Sequence, residues 1–282
     1  MQEQKAPFID VDKVIASKNA TLAKLLPGFV LRYLKRIIHE DEINRFIHES
    51  ADLRNLDFAE ATVKEMGVKL EASGLNNIPL TGGCIIAANH PIGSLDGVGL
   101  MTIVGKRRKD IRFFVNDILQ HLQNFGELFV GVNKHGKNAK ENLRLMDEVF
   151  ASDYCVLFFP AGLVSRRQNG EIRDLEWQKS FISKAIRYNK PIIPTYIDGQ
   201  NSDFFYNLAY WRKKMGIKAN IEMLYLADEM YRQKNKTIKF IFGQPIQPEQ
   251  FTKEKSHAEW AQILKEHVYN LKKDNFAVFP PR

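Results

Sequence analysis

From Gly82 onward, short apolar runs closed by turn residues alternate with stretches whose apolar positions recur every three or four residues. A run of four to eight apolar residues bounded by Gly, Pro or Asn reads as a strand covered on both faces. The three–four repeat reads as an amphipathic helix. This pattern predicts strands over 83–89, 112–116, 127–132, 154–160, 192–197 and 237–242. One intervening helix carries Leu143, Met146, Val149 and Phe150, and a final one carries Trp260, Ile263, Leu264, Val268 and Leu271. Strands alternating with helices predict an α/β fold: a central, mostly parallel sheet flanked by helices. Before it, the chain reads as helical up to about Leu70, with a short polar helix over 41–50 and another marked by Leu56, Ala59, Val63, Met66 and Leu70. The expectation is an N-terminal helical cap over residues 1–75 and an α/β domain over 76–282, forming one structural unit without repeats, low-complexity segments or a long linker.

The densest apolar stripe lies in the cap. Leu22, Leu25, Leu26, Phe29, Val30, Tyr33, Leu34, Ile37 and Ile38 keep helical spacing, with Lys24, Arg32, Lys35 and Arg36 between them. Pro27-Gly28 breaks the stripe into a short turn and a helix that starts near Pro27. A basic amphipathic helix of this kind lies in a membrane interface, with Phe29, Tyr33, Arg32, Lys35 and Arg36 meeting lipid, or packs on the protein's own core. The sequence leaves both readings open.

Charge adds one constraint. The 282 residues carry a formal net charge of +8 and a pI near 9.3. Zinc-finger spacing, an RNA-recognition aromatic motif and a basic helix free of apolar residues are all missing, which argues against a nucleic-acid partner. An anionic membrane surface or an acidic protein suits the charge better. No apolar stretch approaches the ~18–20 residues of a membrane span, and the opening Met1-Gln2-Glu3-Gln4-Lys5 resembles no secretion signal. Cys84 and Cys155 sit inside apolar runs and read as buried, reduced core residues. A cytoplasmic, peripheral membrane location is expected.

Candidate chemistry begins at the end of the first α/β strand. The run Cys84-Ile85-Ile86-Ala87-Ala88 delivers Asn89-His90-Pro91-Ile92-Gly93-Ser94-Leu95-Asp96. Pro91 disfavours the helical region for His90 and keeps its ring in the turn. Asp96 can fold back onto one ring nitrogen, leaving the other to take a proton from a substrate hydroxyl. The alternative is a hydrogen-bonded turn histidine without chemistry. A second run, 154–159, opens into Pro160-Ala161-Gly162-Leu163-Val164-Ser165-Arg166-Arg167. Glycine permits close backbone approach and arginine offers forked donors, so this segment reads either as an anion or oxyanion platform or as a solvated basic loop.

Together these two segments resemble the signatures of the glycerolipid acyltransferase superfamily, which includes the lysophosphatidate acyltransferases. Its first signature is Asn-His followed by Asp, and its third is Phe-Pro-Glu-Gly-Thr-Arg-Ser. Here five residues separate His90 from Asp96 instead of four, Ala161 stands in place of Glu, and Val164 in place of Arg. Both departures are similar to the haemolysin-labelled branch, which carries His-Pro-x-Gly-Gly-x-Asp-Gly and Phe-Pro-Ala-Gly-x-Val-Ser-Arg. The likeness continues through 26–44, 191–202 and 240–246 and covers nearly the whole chain. The superfamily's second, phosphate-contacting signature falls near 125–134, where its arginine is missing and Lys134 or Lys137 is the nearest substitute.

The resemblance implies direct acyl transfer. His90 would act as general base on an acceptor hydroxyl and Asp96 as its orienting carboxylate. Pro160, Gly162, Ser165, Arg166 and Arg167 would surround the oxyanion and the acceptor. It further implies an acyl carrier protein or CoA thioester as co-substrate and no other cofactor; the seven histidines are scattered, with no His-x-x-x-His pair near a carboxylate, so no metal is expected. The altered third signature weakens a lysophosphatidate acceptor. The branch instead implies O-acylation of an N-acyl amino acid, as in glycine- or ornithine-type lipids, whose carboxylate would meet Arg166 or Arg167. Lysophosphatidate acylation, and a non-catalytic membrane-surface module, remain as alternatives. No Gly-x-Ser-x-Gly elbow supports a serine hydrolase.

Overall fold

The computed structural model describes residues 7–115, 122–131 and 139–279. The expectations placed on Asn116, Val132, Lys134 and Lys137, and on the Leu22 side chain, fall outside the described residues.

A sheet of 7 strands organises the molecule. Its strands are β1 (Lys69–Ser73), β2 (Cys84–Ala88), β3 (Ile111–Val115), β4 (Phe129–Gly131), β5 (Cys155–Phe158), β8 (Ile192–Asp198) and β9 (Thr237–Phe242). Their order is β1-β9-β8-β2-β5-β3-β4. From β8 to β4 every pairing is parallel. β9 runs antiparallel to β8 and parallel to β1. The expected mostly parallel sheet flanked by helices is therefore the fold.

β2 shows why its sequence is apolar without alternation. Ile86 and Ala88 pack into one core with Leu100, Met101 and Phe240, while Ile85 and Ala87 pack into the opposite core with Phe181, Leu264 and Val268. Both faces of a central parallel strand are covered, so both parities must be apolar. Cys84 and Cys155 pair in register with their sulfurs 3.6 Å apart, as buried free thiols.

The helices are α1 (Val11–Lys18), α2 (Ala20–Leu25), α3 (Gly28–Ile38), α4 (Glu40–Glu49), α5 (Asn55–Glu65), α6 (Ser94–Gly105), α7 (Ala139–Ala151), α8 (Ser180–Tyr188), α9 (Asp203–Lys214), α10 (Leu226–Tyr231) and α11 (His257–Asn270). Two elements correct the sequence reading. The segment ending near Leu70 does not stay helical: Gly67 at φ 60 stops α5, and Val68 N–H reaches back to the Val63 carbonyl. The chain then enters the sheet as β1, beside β9. The segment after Ser165 is a hairpin instead of a solvated loop, formed by β6 (Arg166–Gln168) and β7 (Glu171–Arg173).

Within residues 1–75, Phe58, Ala59 and Val63 of α5 are buried in the core that contains α6. α3 divides its stripe. Ile37 is buried and Val30, Leu31, Leu34 and Ile38 are half-buried, while Phe29, Arg32, Tyr33 and Arg36 stay exposed. Among the described residues no helix is long and apolar enough to cross a membrane.

Candidate active site

Three loops leave the carboxyl ends of the neighbouring strands β8, β2 and β5, where open α/β sheets bind ligands. Sheet order brings them together. Ser165 N–H donates to the His90 carbonyl at 2.8 Å, and a Cβ on Gly199 would lie 2.5 Å from Ile92 Cδ1. Asn89 ties the first loop to β8: its Oδ1 accepts from Ile197 N–H at 2.7 Å and its Nδ2 donates to the Ile197 carbonyl at 2.9 Å. This buried amide prolongs the β2–β8 pairing by one side-chain rung and fixes where His90 leaves the sheet.

His90 Nδ1 lies 3.0 Å from Asp96 Oδ2. The same oxygen accepts Ile92 N–H at 2.9 Å and Gly93 N–H at 3.2 Å, and Oδ1 accepts Gly97 N–H at 2.9 Å. Asp96 is fully buried in the first turn of α6, where unpaired backbone N–H groups and the helix dipole favour negative charge. Gly93, at φ 109, supplies the left-handed step that turns those amides onto the carboxylate. An acceptor-only partner at Nδ1 fixes the ring as the Nδ1–H tautomer. Nε2 is then a base, and it makes no hydrogen bond to any described residue. Burial opposes the imidazolium, but the charge and hydrogen bond of Asp96, with the charge of Asp174 behind it, outweigh burial and raise the His90 pKa above its ordinary value. The ring stacks on Phe159, with centroids 4.2 Å apart, and Phe159 meets Phe113 edge-on.

Asp174, absent from the sequence reading, braces this turn from behind. Its Oδ1 accepts His90 N–H at 3.1 Å and the Ser165 hydroxyl at 2.6 Å. Its Oδ2 accepts the Trp177 indole N–H at 2.9 Å. Asp174 N–H donates to the Tyr269 hydroxyl at 2.7 Å. Burial pushes the Asp174 carboxyl above the usual carboxylate range, although Ser165, Trp177 and His90 all stabilise its charge. Only Asp174's position after the β6–β7 hairpin could have marked it, and that hairpin was not expected.

The platform residues divide. Pro160 has no N–H, and Gly162 N–H closes a turn onto the Phe159 carbonyl at 3.0 Å. The backbone donors left in that turn are Ala161 and Leu163, which make no hydrogen bond to a described residue. Ser165 is buried and spends its hydroxyl on Asp174, so it is a brace for the His90 turn. Arg166 faces inward: it pairs with buried Glu222 at 2.9 Å, and Glu222 also holds Arg212 at 2.8 Å. Arg167 stays near the surface, bound to Asp203 at 2.5 Å and Asn207 at 2.8 Å. In α3, Lys35 is engaged by Asp12 and Glu40, while Arg36 lies over the Tyr33 ring at 5.1 Å.

A histidine–carboxylate couple with an open Nε2 can serve as a general base for a substrate hydroxyl. The chain belongs to the acyltransferase family, whose model matches residues 13–277. A curated relative from Bacteroides thetaiotaomicron, described as a lyso-glycine lipid O-acyltransferase, is 45% identical over 272 residues, covering 96% of this chain and 100% of the relative. A second, with the same description, comes from Phocaeicola vulgatus and is 43% identical over 272 residues, covering 96% of this chain and 98% of its own. Among solved structures, the 1-acyl-sn-glycerophosphate (LPA) acyltransferase PlsC from Thermotoga maritima matches with a TM-score of 0.47 and 17% identity, over 86% of this chain and 93% of that one.

Proposed function

We propose that this protein transfers a fatty acyl group from an acyl thioester to the hydroxyl of a lyso-glycine-type lipid at the cytoplasmic face of a membrane. The observation that carries this reading is the His90–Asp96 couple, set in a chain that aligns over nearly its whole length with two lyso-glycine lipid O-acyltransferases.

His90 Nε2 takes the proton from the acceptor hydroxyl as its oxygen attacks the thioester carbon. Asp96 holds the Nδ1–H and stabilises the imidazolium. Negative charge then sits on the former carbonyl oxygen, for which the Ala161 and Leu163 N–H groups are the candidate donors. Collapse breaks the C–S bond. The imidazolium returns its proton to the leaving sulfur, giving an ester and a free thiol. No metal or further cofactor enters this sequence.

The acceptor's carboxylate needs a cation, and Arg167 is the better placed of the two arginines. Its pairing with Asp203 is exposed and exchangeable, whereas Arg166 is locked to buried Glu222. Acyl carrier protein is the proposed donor, because an acidic carrier suits a chain with a net charge of +8. The Phe29–Tyr33 edge of α3, with Arg32 and Arg36, is the proposed membrane contact.

Labelled acyl carrier protein and acyl-CoA, each offered with an N-(3-hydroxyacyl)glycine or with lysophosphatidate, test this reading. The expected product is the diacylated glycine lipid, with turnover reduced about 10²- to 10⁴-fold in His90→Ala. Product from lysophosphatidate alone overturns the acceptor. Undiminished turnover by a folded His90→Ala protein overturns the mechanism.

A further inference from the structure

α9 is apolar on two sides. Phe205, Tyr206 and Ala209 face inward, and the two aromatic rings pack with Val164 and Leu226. Phe204, Leu208, Trp211 and Met215 recur at the spacing that aligns residues on one helical face. Phe204, Trp211 and Met215 are 48%, 52% and 64% exposed. Tyr210 and Ile217 are exposed alongside them. Apolar exposure gathered on one face, instead of scattered singly, marks an interaction surface.

This face joins the exposed edge of α3. The Tyr225 hydroxyl lies 2.8 Å from that of Tyr33, and its ring meets Phe204 edge-on at 4.9 Å. Exposed cations lie close in sequence to both parts: Lys24 and Arg32 around α3, and Lys213, Lys214 and Lys218 at and just beyond the end of α9. None of these five has a carboxylate partner among the described residues. Lys214 lies over the Trp211 ring at 5.0 Å. Between Asp203 and Glu222 the chain carries no acidic residue.

We propose that α9 is a second membrane-docking element, continuous with α3 and anchored by Trp211, whose occupant is the headgroup layer of an anionic lipid bilayer. The inference rests on the reading that the acceptor is a membrane lipid. Indole and phenol rings favour the boundary between acyl chains and headgroups, and unpaired lysines are drawn to anionic lipid phosphates. An acidic protein would be drawn to the same cations, but the aromatic rings set beside the lysines are the arrangement that suits the headgroup boundary. A symmetric second copy would press the Lys213, Lys214 and Lys218 patch against itself. The surface is also tied to the chemistry: Leu226 follows Tyr225 and packs on Gly93, where a Cβ would come within 3.0 Å of it. Docking through α9 therefore holds the His90 turn at a fixed place relative to the bilayer that supplies the acceptor.

The chain has three tryptophans, and Trp177 and Trp260 are 1% and 4% exposed, so lipid quenching reports on Trp211. The full chain is mixed with phosphatidylglycerol–phosphatidylcholine vesicles whose acyl chains carry bromine. Fluorescence is expected to be quenched on binding, and the quenching to vanish in Trp211→Phe. The Trp211→Ala/Met215→Ala variant should partition about tenfold more weakly, while its turnover of a short-chain, dispersed acceptor is unchanged. Binding to these vesicles without quenching overturns the proposal, as does a stable dimer that shields Trp211 and keeps the chain off lipid. Quenched, Trp211-dependent binding in a protein that acylates no acceptor would overturn the proposed function and leave the docking face standing.

Discussion

At the scale of single residues, the site is a base held between two carboxylates. Asp96 supplies the tautomer and Asp174 the position of the His90 backbone, and both charges raise the pKa of the ring they face. The base acts only when neutral, so kcat/KM should rise with pH through a midpoint above the ordinary histidine value. Removing a facing negative charge destabilises the imidazolium. Asp174→Asn is therefore expected to move the acid limb of the profile toward lower pH and to lower kcat/KM roughly tenfold through misplacement of the ring. Ser165→Ala removes a brace but keeps both charges, and its limb should stay where it is. An Asp174→Asn profile that falls in height without shifting would make Asp174 a purely structural residue. The sequence displayed half of this arrangement. His90 and Asp96 are separated by one turn and the start of a helix, so local stereochemistry alone brings them together. Asp174 reaches His90 across a separation of 84 residues, and only the pairing of whole strands brings it there.

At the scale of elements, the β6–β7 hairpin links the catalytic turn to the outer helices. Arg166 at its start reaches Glu222, which also binds Arg212 near the end of α9. Glu222 is fully buried, and a buried charge that loses its partner costs about 3–5 kcal/mol. Glu222→Gln leaves two guanidinium groups facing a neutral amide. The expected result is a Tm lower by on the order of 10 °C for a chain of this size, together with reduced turnover, because Asp174 follows the loosened hairpin. A calorimetric midpoint within about 1 °C of the parent would show that the two arginines find other partners. This hairpin was legible in principle. Asn169-Gly170 is the residue pair favoured in tight two-residue turns, and both positions have positive φ. The run of charged residues around it, Arg166 to Asp174, hid the alternation. β1 was concealed for the opposite reason: Leu70 continues the helical spacing of Val63 and Met66, and Gly67 breaks the helix without breaking that pattern. The central strands β2, β5 and β8 were found because both faces are buried, apolar residues are continuous and no helix-length repeat competes, whereas β9 shows the alternation of a strand with one exposed face.

At the scale of the whole molecule, sheet order decides what the motifs can do. Loops after strands far apart in sequence become neighbours because β8, β2 and β5 are adjacent and parallel, so Gly199, Ile92 and Ser165 meet around one histidine. No spacing rule within one loop could have shown that. The charge of the chain is one-sided, 41 basic residues against 33 acidic ones, and Lys213, Lys214 and Lys218 at and just beyond the end of α9 have no carboxylate partner among the described residues. Under the proposed function, two substrates of different character approach the same basic protein, a lipid from the bilayer and a thioester on its carrier. A carrier protein that docks through many charges is steered over distances comparable to the Debye length, about 8–10 Å at physiological salt, and loses that steering as salt rises. If acyl carrier protein is the donor, its KM should rise several-fold between about 0.05 and 0.5 M salt while kcat holds, since the chemistry sits in a buried turn that salt does not screen. A short-chain acceptor dispersed in water isolates the donor's contribution from that of the membrane. A KM for the carrier-borne donor that ignores salt would leave the net charge to the lipid surface alone, and would move the donor from an acidic protein to a small thioester held by its acyl chain.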